Sequence, residues 1–299
     1  MTTPTISVII TTHNEGPELA KTIRSVKANT WRLAKVIVVD DGSDDGSTLD
    51  LPSEGILVIR HDQRIGVARS RDEGSRAARG DVLCYLDAHQ RVSRLCLDRC
   101  AKLAIERQAI TCPDIRDFGL LNWRMHGADF RMCPNQGYFS ARWRHAIQLP
   151  GVSAVTALRA PPYLLPRSMY ADVAWSPLLR GWGASESSTV LKSFFLGIEI
   201  LHIAGPLARH RFREAFQYET TWEGIWSNHA MIARICFDDA TWFRYWLPRV
   251  FEPHLTAEAR QLLESHAVQV EREAFAKKKV REDRQFWTEL LQTSPPVDV

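Results

Sequence analysis

The stretch GDVLCYLDAHQRV, residues 80–92, joins a short apolar run to a polar tail at a single aspartate. The apolar residues 82–86 predict a buried strand, and Asp87 marks its end. Asp87 and His89 stand two residues apart, so on an extended chain their side chains point to the same side. A carboxylate and an imidazole in that arrangement are able to bind one cation together. The stretch therefore predicts a strand that ends at Asp87, and two interpretations of its end stay open: a ligand site, or a solvated loop histidine beside an aspartate that caps the next helix.

The residues before this stretch alternate between strand and helix patterns. The runs that predict strands and helices are, in chain order, 6–12, 17–29, 35–41, 55–61, 66–80 and 81–87. This alternation is typical of βαβ units. The predicted fold class is α/β, with a mainly parallel, Rossmann-like central sheet flanked by helices. Asp87 then lies at the carboxyl edge of the sheet, where open α/β sheets bind ligands.

The rest of the chain has a less regular pattern. A helix is predicted from about residue 93 to residue 108. Residues 114–185 are rich in Trp, Arg, Gly and Pro and predict a hairpin, loops and a strand at 163–168. The later segments are a helix followed by a strand at 188–204, and mostly helical runs at 221–246 and 256–292.

Composition argues against several classes of protein. The 299 residues are 45% hydrophobic and 24% charged, which is enough apolar material for a substantial core. The formal net charge of +3 is too small to indicate nucleic acid binding. The N-terminal apolar run is too short for a signal peptide or a membrane span, and no later stretch reaches spanning length. Six cysteines without a CxxC pair predict reduced thiols, and hence a cytoplasmic protein.

Two polar loops follow the first two predicted strands, THNEG at 12–16 and DDGSDDGS at 40–47. Acidic and small residues there can accept hydrogen bonds from a base or a ribose, although ordinary turns explain each loop taken alone. A GxGxxG fingerprint and a Walker A loop are missing from the sequence, which disfavours a Rossmann dehydrogenase and a P-loop kinase. The combination suits a nucleotide diphosphate chelated through a divalent metal. Mixed oxygen and imidazole ligands favour Mn²⁺ over Mg²⁺.

Several of these motifs together resemble one enzyme family. The runs ISVIITTHNE, VIVVDDGSDDGS and RIGVARSRDEGSRAARGDVLCYLDAHQ are similar to the nucleotide-sugar-binding half of polypeptide N-acetylgalactosaminyltransferases. These are GT-A-fold enzymes related to family 2 glycosyltransferases, and they replace the usual D-x-D motif by D-x-H. Residues 181–218 resemble the stretch of that family from its W-G-G-E-N motif to its G-H-x-F-R motif, without a gap.

The resemblance implies a set of site residues. It makes Asp87, His89 and His210 metal ligands and puts Trp182 on a loop that folds over the donor. It also implies that Trp182, Glu186 and Arg213 serve catalysis. The positions that it assigns to the nucleotide-sugar are Thr11, His13, Glu15, Asp41, Arg64, Asp87, Ala88 and Tyr218. Taken singly, Arg213, Tyr218 and Trp182 would be ordinary surface or packing residues, and the joint spacing is what favours the site.

The sequence departs from the family at the W-G-G-E-N motif. It has Trp182-Gly183-Ala184-Ser185-Glu186, so the carboxylate is displaced by one position. Three interpretations of Glu186 stay open: a contact to the sugar or acceptor, a general base as in inverting relatives, and a cap of the following helix.

The resemblance weakens after about Asp239, and neither a lectin-like domain nor an N-terminal anchor is recognisable. The predicted domains are a GT-A catalytic domain at 1–240 and a helical extension at 241–299. The catalytic domain divides into a nucleotide-binding half, 1–112, and an acceptor and catalytic half, 113–240. We expect the extension to pack on the catalytic domain, with pairing into a homodimer or acceptor binding as alternatives. A bacterial source is favoured.

The predicted function is metal-dependent transfer of a sugar, favoured to be an N-acetylhexosamine, from a UDP-sugar to a hydroxyl acceptor with retention. The acceptor is a peptide, a glycan or a small molecule. The density of Arg and Trp at residues 122–144 suggests an exposed surface for the acceptor or the diphosphate. One alternative is an inverting family 2 transferase with Glu186 as base, acting on a glycan, a lipid-linked sugar or a natural product. Another is a nucleotide-binding protein without activity. His126 and His145 are expected to serve packing or solvent contacts.

Overall fold

Four parallel strands form the N-terminal half of the sheet in a computed structural model, which describes residues 3–118, 123–133, 138–146, 151–213 and 219–296. In spatial order they are β4 (Val82–Asp87), β1 (Ile6–Thr12), β2 (Leu33–Asp40) and β3 (Ile56–Arg60). The helices that connect or follow them are α1 (Pro17–Asn29), α2 (Val67–Ala77) and α3 (Cys96–Arg107). The apolar runs of these four strands are nearly continuous, because helices cover both faces of a parallel sheet.

The second half of the sheet comes from later parts of the chain. Strand β6 (Ile110–Asp117) pairs in parallel with β12 (Ile200–His210), and β11 (Tyr163–Pro166) lies antiparallel between β4 and β6. Shorter strands extend the sheet: β5 (Gln90–Val92), β7 (Arg124–Met125) and β10 (Val152–Ala154). A separate hairpin joins β8 (Ala128–Met132) to β9 (Phe139–Trp143).

Strand pairing fixes the positions of the residues that were predicted to bind a metal. Thr11 of β1 pairs with Asp87 of β4, and His210 of β12 pairs with Gln90 of β5. The end of β12 is therefore held against the turn that carries His89, although the two segments are more than a hundred residues apart in sequence.

The C-terminal half is mostly helical. Its larger helices are α5 (Ser185–Phe195), α6 (Trp222–Cys236), α8 (Ala257–Leu263) and α9 (His266–Ala276), with π-helical segments at Trp242–Phe251 and Phe286–Leu290. Short turns of helix complete it: Arg167–Met169, α4 (Tyr170–Val173), α7 (Asp239–Thr241), Glu252–His254 and α10 (Asp283–Gln285). The hydroxyls of Thr256 and Ser265 cap α8 and α9, which divides the helical run into separate helices.

Two apolar clusters cover the two faces of the sheet. Ile6, Val8 and Ile10 of β1 belong to one cluster, whereas Ile9 faces the other, as the two-residue period of a strand requires. The second cluster extends to Trp246 and Phe286, both fully buried. The C-terminal helices thus share a core with the sheet, and the division at residue 240 stays a prediction.

The structure confirms the α/β class and the order of the elements up to residue 108. It places later boundaries differently: the helix predicted from residue 188 begins at Ser185, and the following strand continues to His210 instead of ending at 204. Within the described segments, no helix combines the length and apolar character that crossing a bilayer requires. The six cysteines form no disulfide.

Candidate active site

A cleft of about 670 Å³ opens at the carboxyl ends of β1 and β4. Trp182, Phe212 and Trp222 line it and are also partly exposed. Tyr218 lies outside the described residues. The structure brings every other predicted site residue to this cleft: Thr11, His13, Glu15, Asp41, Arg64, Asp87, Ala88, His89, Trp182, Glu186, His210 and Arg213.

Asp87, His89 and His210 meet at the floor of the cleft. Each offers one ligand atom, and these atoms lie within 4.8 Å of one another. The Nε2 atom of His210 is 3.1 Å from Oδ2 of Asp87, and the two imidazole rings have centroids 5.0 Å apart. One carboxylate and two imidazoles at this spacing suit a divalent ion that accepts both oxygen and nitrogen ligands.

The protonation of these side chains fits that use. Burial lowers the pKa of His210, which keeps the imidazole neutral and able to coordinate. Burial alone would raise the pKa of Asp87, but the hydrogen bond from His210 and the charge of Arg71 outweigh it and hold that pKa well below the usual range. The Nδ1 atom of His210 is buried and has no hydrogen-bond partner within the described residues.

Glu15 orients the imidazole ring of His89 through its Nδ1 atom. Its carboxylate accepts hydrogen bonds from Nδ1 of His89 at 3.1 Å and from Nη1 of Arg213 at 3.0 Å. Burial would raise the pKa of Glu15, yet these two donors lower it overall. Because Nδ1 of His89 is used in this contact, its Nε2 is the nitrogen left for a ligand. Arg213 lies against Glu15 at the edge of the cleft.

Arg71, which the motifs did not indicate, is the most connected side chain of the site. It is 3% exposed on α2, and Gly74 lets that helix approach β1 so closely that a Cβ there would lie 2.5 Å from Ile9. Its guanidinium donates to Glu186 at 2.6 Å, to Asp87 at 3.3 Å, to the hydroxyl of Tyr163 and to that of Ser185. It thus links Asp87 to Glu186, the displaced carboxylate of the altered motif.

Burial by itself would lower the pKa of Arg71, but the neighbouring Tyr163, Glu186 and Asp87 raise it. Arg71 is therefore a permanent buried cation. The sequence contained one signal for it, because Arg71 falls three residues after Ala68 and three before Gly74, on the buried face of α2.

Glu186 is a member of this network and does not cap a helix. Helix α5 begins after Ala184, whose backbone has a φ of 66°, and no side chain caps that end. One oxygen of Glu186 accepts from Arg71, and the other accepts from the Ser185 hydroxyl at 2.7 Å. Both carboxylate oxygens are thus already hydrogen-bonded within the protein.

The loop that carries Trp182 is held by its backbone. The side chain of Asn228 on α6 bonds both the N–H and the carbonyl of Arg180 and also the carbonyl of Trp182. On the other side the loop touches Gly66, where a Cβ would lie 2.5 Å from the Gly181 oxygen. The indole of Trp182 is 37% exposed at the cleft. A fixed backbone therefore presents an accessible aromatic ring.

Asp41 lines the cleft and also supports the loop beside it. Its carboxylate accepts backbone hydrogen bonds from Ile65 at 2.7 Å and Gly66 at 3.0 Å, and Arg64 Nε lies 3.9 Å away. Its backbone carbonyl contacts His13 Nδ1 at 2.9 Å. Asp41 thus fixes the turn that precedes α2, in addition to lining the cleft.

Comparison with known proteins shows to which family the N-terminal part of the chain is related. The family model described as "Glycosyl transferase family 2" matches residues 7–155. The chain contains a family 2 glycosyltransferase domain. It is also homologous to polypeptide N-acetylgalactosaminyltransferases.

Two relatives illustrate the extent of the homology. Polypeptide N-acetylgalactosaminyltransferase 8 of Drosophila melanogaster is 28% identical over 280 residues, covering 85% of this chain and 46% of the relative. Human polypeptide N-acetylgalactosaminyltransferase 14 is 39% identical over 98 residues, covering 30% of this chain and 17% of the relative. The chain spans less than half the length of these curated relatives.

Structural matches to solved GT-A glycosyltransferases show that this chain has the GT-A fold. A crystal structure of GalNAc-T7 with UDP, GalNAc and Mn²⁺ aligns with a TM-score of 0.76 at 20% identity, covering 97% of this chain and 57% of that one. Staphylococcus aureus TarS in complex with UDP-GlcNAc aligns with a TM-score of 0.58 at 15% identity, covering 92% and 81%.

Replacing Arg71 tests the network. Arg71→Met leaves the Asp87 and Glu186 carboxylates without their shared cation, so we expect the free energy of unfolding to fall by about 3–5 kcal/mol. Arg76→Met is the matched control on the same helix, because Arg76 pairs with Asp72 and its side chain is 72% exposed. It should cost no more than about 1 kcal/mol. Chemical denaturation measures both, and equal losses would contradict the assignment.

His229 gives the protein a predictable acid sensitivity. This residue of α6 lines the cleft, accepts a hydrogen bond from the Phe139 N–H, and burial lowers its pKa to about 3. Between that value and the unfolded pKa of about 6.5, the unfolded chain binds the extra proton, so stability is lost as pH falls below about 6.5.

Removing this histidine should therefore flatten the pH dependence of stability. From pH 7 to pH 5 the wild-type protein should lose about 2 kcal/mol more than His229→Gln, whose amide oxygen can still accept from Phe139. His266→Gln, at an exposed position, is the control and should follow the wild type. Urea titrations across this range measure the difference, and parallel profiles for wild type and His229→Gln would refute it.

Proposed function

We propose that the protein transfers a sugar from a UDP-sugar to a hydroxyl acceptor, with a divalent ion at Asp87, His89 and His210. The observation that carries this proposal is the convergence of these three side chains beside Arg71, at the carboxyl edge of a GT-A sheet. The ligands found in the two aligned structures, UDP with GalNAc and Mn²⁺ in one and UDP-GlcNAc in the other, support an N-acetylhexosamine donor.

The donor set fits Mn²⁺ better than Mg²⁺, since two of the three ligands are imidazoles. When bound, the ion supplies positive charge against the negative charge that develops on the leaving diphosphate. Arg64 and Arg213 lie at the same cleft and offer further positive charge there. Glu15 and Arg71 keep His89 and Asp87 in position for their ligand role.

The contacts of Glu186 support retention over inversion. In an inverting transferase a carboxylate takes the proton of the acceptor hydroxyl, and Glu186 already binds Arg71 and Ser185 with its two oxygens. In the retaining alternative the bond from the anomeric carbon to the diphosphate oxygen breaks and the bond to the acceptor oxygen forms on the same face. The acceptor proton then goes to the departing diphosphate, so the protein need not supply a base.

The cleft is also lined by Ser140, Arg159, Phe212 and Trp222, which we assign to the acceptor. A peptide, a glycan and a small molecule all suit this mixture of aromatic and polar side chains. The acceptor class, the cytoplasmic location, the bacterial source and a homodimer through the C-terminal helices stay predictions, as does the absence of nucleic acid from the partners.

UDP release in the presence of an acceptor pool tests the function. With Mn²⁺ and UDP-GalNAc or UDP-GlcNAc, we expect turnover that stops on chelation. His210→Ala should lower the rate by about 10²–10³, the usual effect of removing one group that stabilises developing charge. His145→Ala, a histidine away from the metal ligands, should retain wild-type turnover.

Each outcome separates the alternatives. UDP binding without hydrolysis or transfer of any sugar would support the inactive nucleotide-binding alternative. A product of inverted anomeric configuration by NMR would support the inverting one and restore Glu186 as base. Unchanged Mn²⁺-dependent turnover in His210→Ala would remove His210 from the ligand set.

A further inference from the structure

A second histidine and carboxylate cluster lies away from the cleft. Asp114 of β6 is fully buried, and its Oδ1 atom lies 2.7 Å from Nδ1 of His126 and 2.8 Å from Nε2 of His202. His126 follows β7, and His202 is near the start of β12. Both are less than a tenth exposed, and the three ligand atoms lie within 4.8 Å of one another.

We propose that Asp114, His126 and His202 bind a transition-metal ion, with Zn²⁺ the favoured one, at a structural site separate from the cleft. The proposal does not depend on glycosyl transfer. Two imidazoles and one carboxylate oxygen are the ligand types that Zn²⁺ accepts. The same donor set binds Zn²⁺ more strongly than Mn²⁺, because affinity for nitrogen ligands rises along the first-row series.

The second carboxylate oxygen of Asp114 already accepts hydrogen bonds, as the outer oxygen of a metal-binding carboxylate normally does. Its Oδ2 atom accepts from Nη2 of Arg124 at 2.6 Å and from the backbone N–H of Gly205 at 3.1 Å. These two donors fix the carboxylate plane and direct Oδ1 toward the imidazoles. Such outer contacts normally accompany ligating carboxylates. The side chain of Arg124 is 46% exposed, so water screens its charge and weakens its repulsion of an ion.

Binding requires modest changes in the distances between the ligand atoms. Ligands about 2.0–2.1 Å from a tetrahedral ion are about 3.3 Å apart, so the contacts of 2.7 and 2.8 Å to Asp114 widen by about half an ångström. The two imidazole nitrogens, which lie within 4.8 Å of each other, take up the same separation. Each neutral imidazole, which donates to Oδ1 without an ion, moves that proton to its other ring nitrogen. These other ring nitrogens are Nε2 of His126 and Nδ1 of His202. Neither is among the buried polar atoms that lack a hydrogen-bond partner in the described residues.

The position of the site suggests what the ion does. It would join β6, the turn at His126 and β12, three segments separated in sequence. Gly127 makes the turn close enough that a Cβ there would lie 3.2 Å from His202. Strand β12 continues from His202 to His210, so an ion at its start stabilises the strand that carries the cleft histidine.

The test uses full-length protein in which the cleft cluster is disabled by His89→Ala and His210→Ala. We expect this background to bind one Zn²⁺ per chain in competition with a chromophoric chelator, and Co²⁺ to give visible d–d absorption. His126→Asn and His202→Gln place an amide nitrogen where the ligating ring nitrogen was, so they keep a donor to Asp114 but supply no ligand. Each should abolish Zn²⁺ binding, and His254→Gln in the same background should retain it.

A chelator should lower the melting temperature of the background protein by several degrees and leave that of His202→Gln unchanged. Failure of the background to bind Zn²⁺ at micromolar concentration overturns the proposal, as does unchanged binding in both His126→Asn and His202→Gln. If neither variant folds, the Co²⁺ spectrum of the background decides, and the absence of d–d bands from imidazole-ligated Co²⁺ overturns the site.

Discussion

The buried charge of Arg71 is the constraint on which the rest of the site depends. A guanidinium that is almost fully excluded from water is tolerated only when carboxylates and hydroxyls accept hydrogen bonds from its N–H groups. Here Asp87, Glu186, Ser185 and Tyr163 do so, and they come from β4, α5 and β11. One side chain on α2 thereby ties the proposed metal carboxylate to the start of α5.

Sheet order supplies the other half of the geometry. Strand β12 belongs to the second half of the sheet, and its last residues pair with β5. His210 therefore lies beside the turn that follows β4. One proposed metal ligand from each half of the fold therefore lies at the same place. Burial keeps His210 neutral while its hydrogen bond helps to keep Asp87 ionised, so folding itself brings the proposed ligands into the protonation states that a metal needs.

The sequence predicted much of this and missed what depends on distant packing. Short β-branched runs and the Asp87–His89 spacing were sufficient for the first four strands and the turn after β4, since both are local patterns, whereas the central strand β6 was not predicted. Arg71 and His229 gave no local chemical signal, because their roles come from burial against segments far along the chain. The role of Glu186 stayed open for the same reason. The displacement of the carboxylate by one position in the motif does not show that it pairs with Arg71.

In the proposed site, Asp87, His89 and His210 hold one divalent ion next to a nucleotide diphosphate. Pulsed EPR of the Mn²⁺-loaded protein with UDP measures this directly, because it detects the nuclei around the ion. We expect couplings to the ¹⁴N nuclei of two imidazoles and to ³¹P on the same Mn²⁺. A ³¹P coupling without any imidazole nitrogen would contradict it.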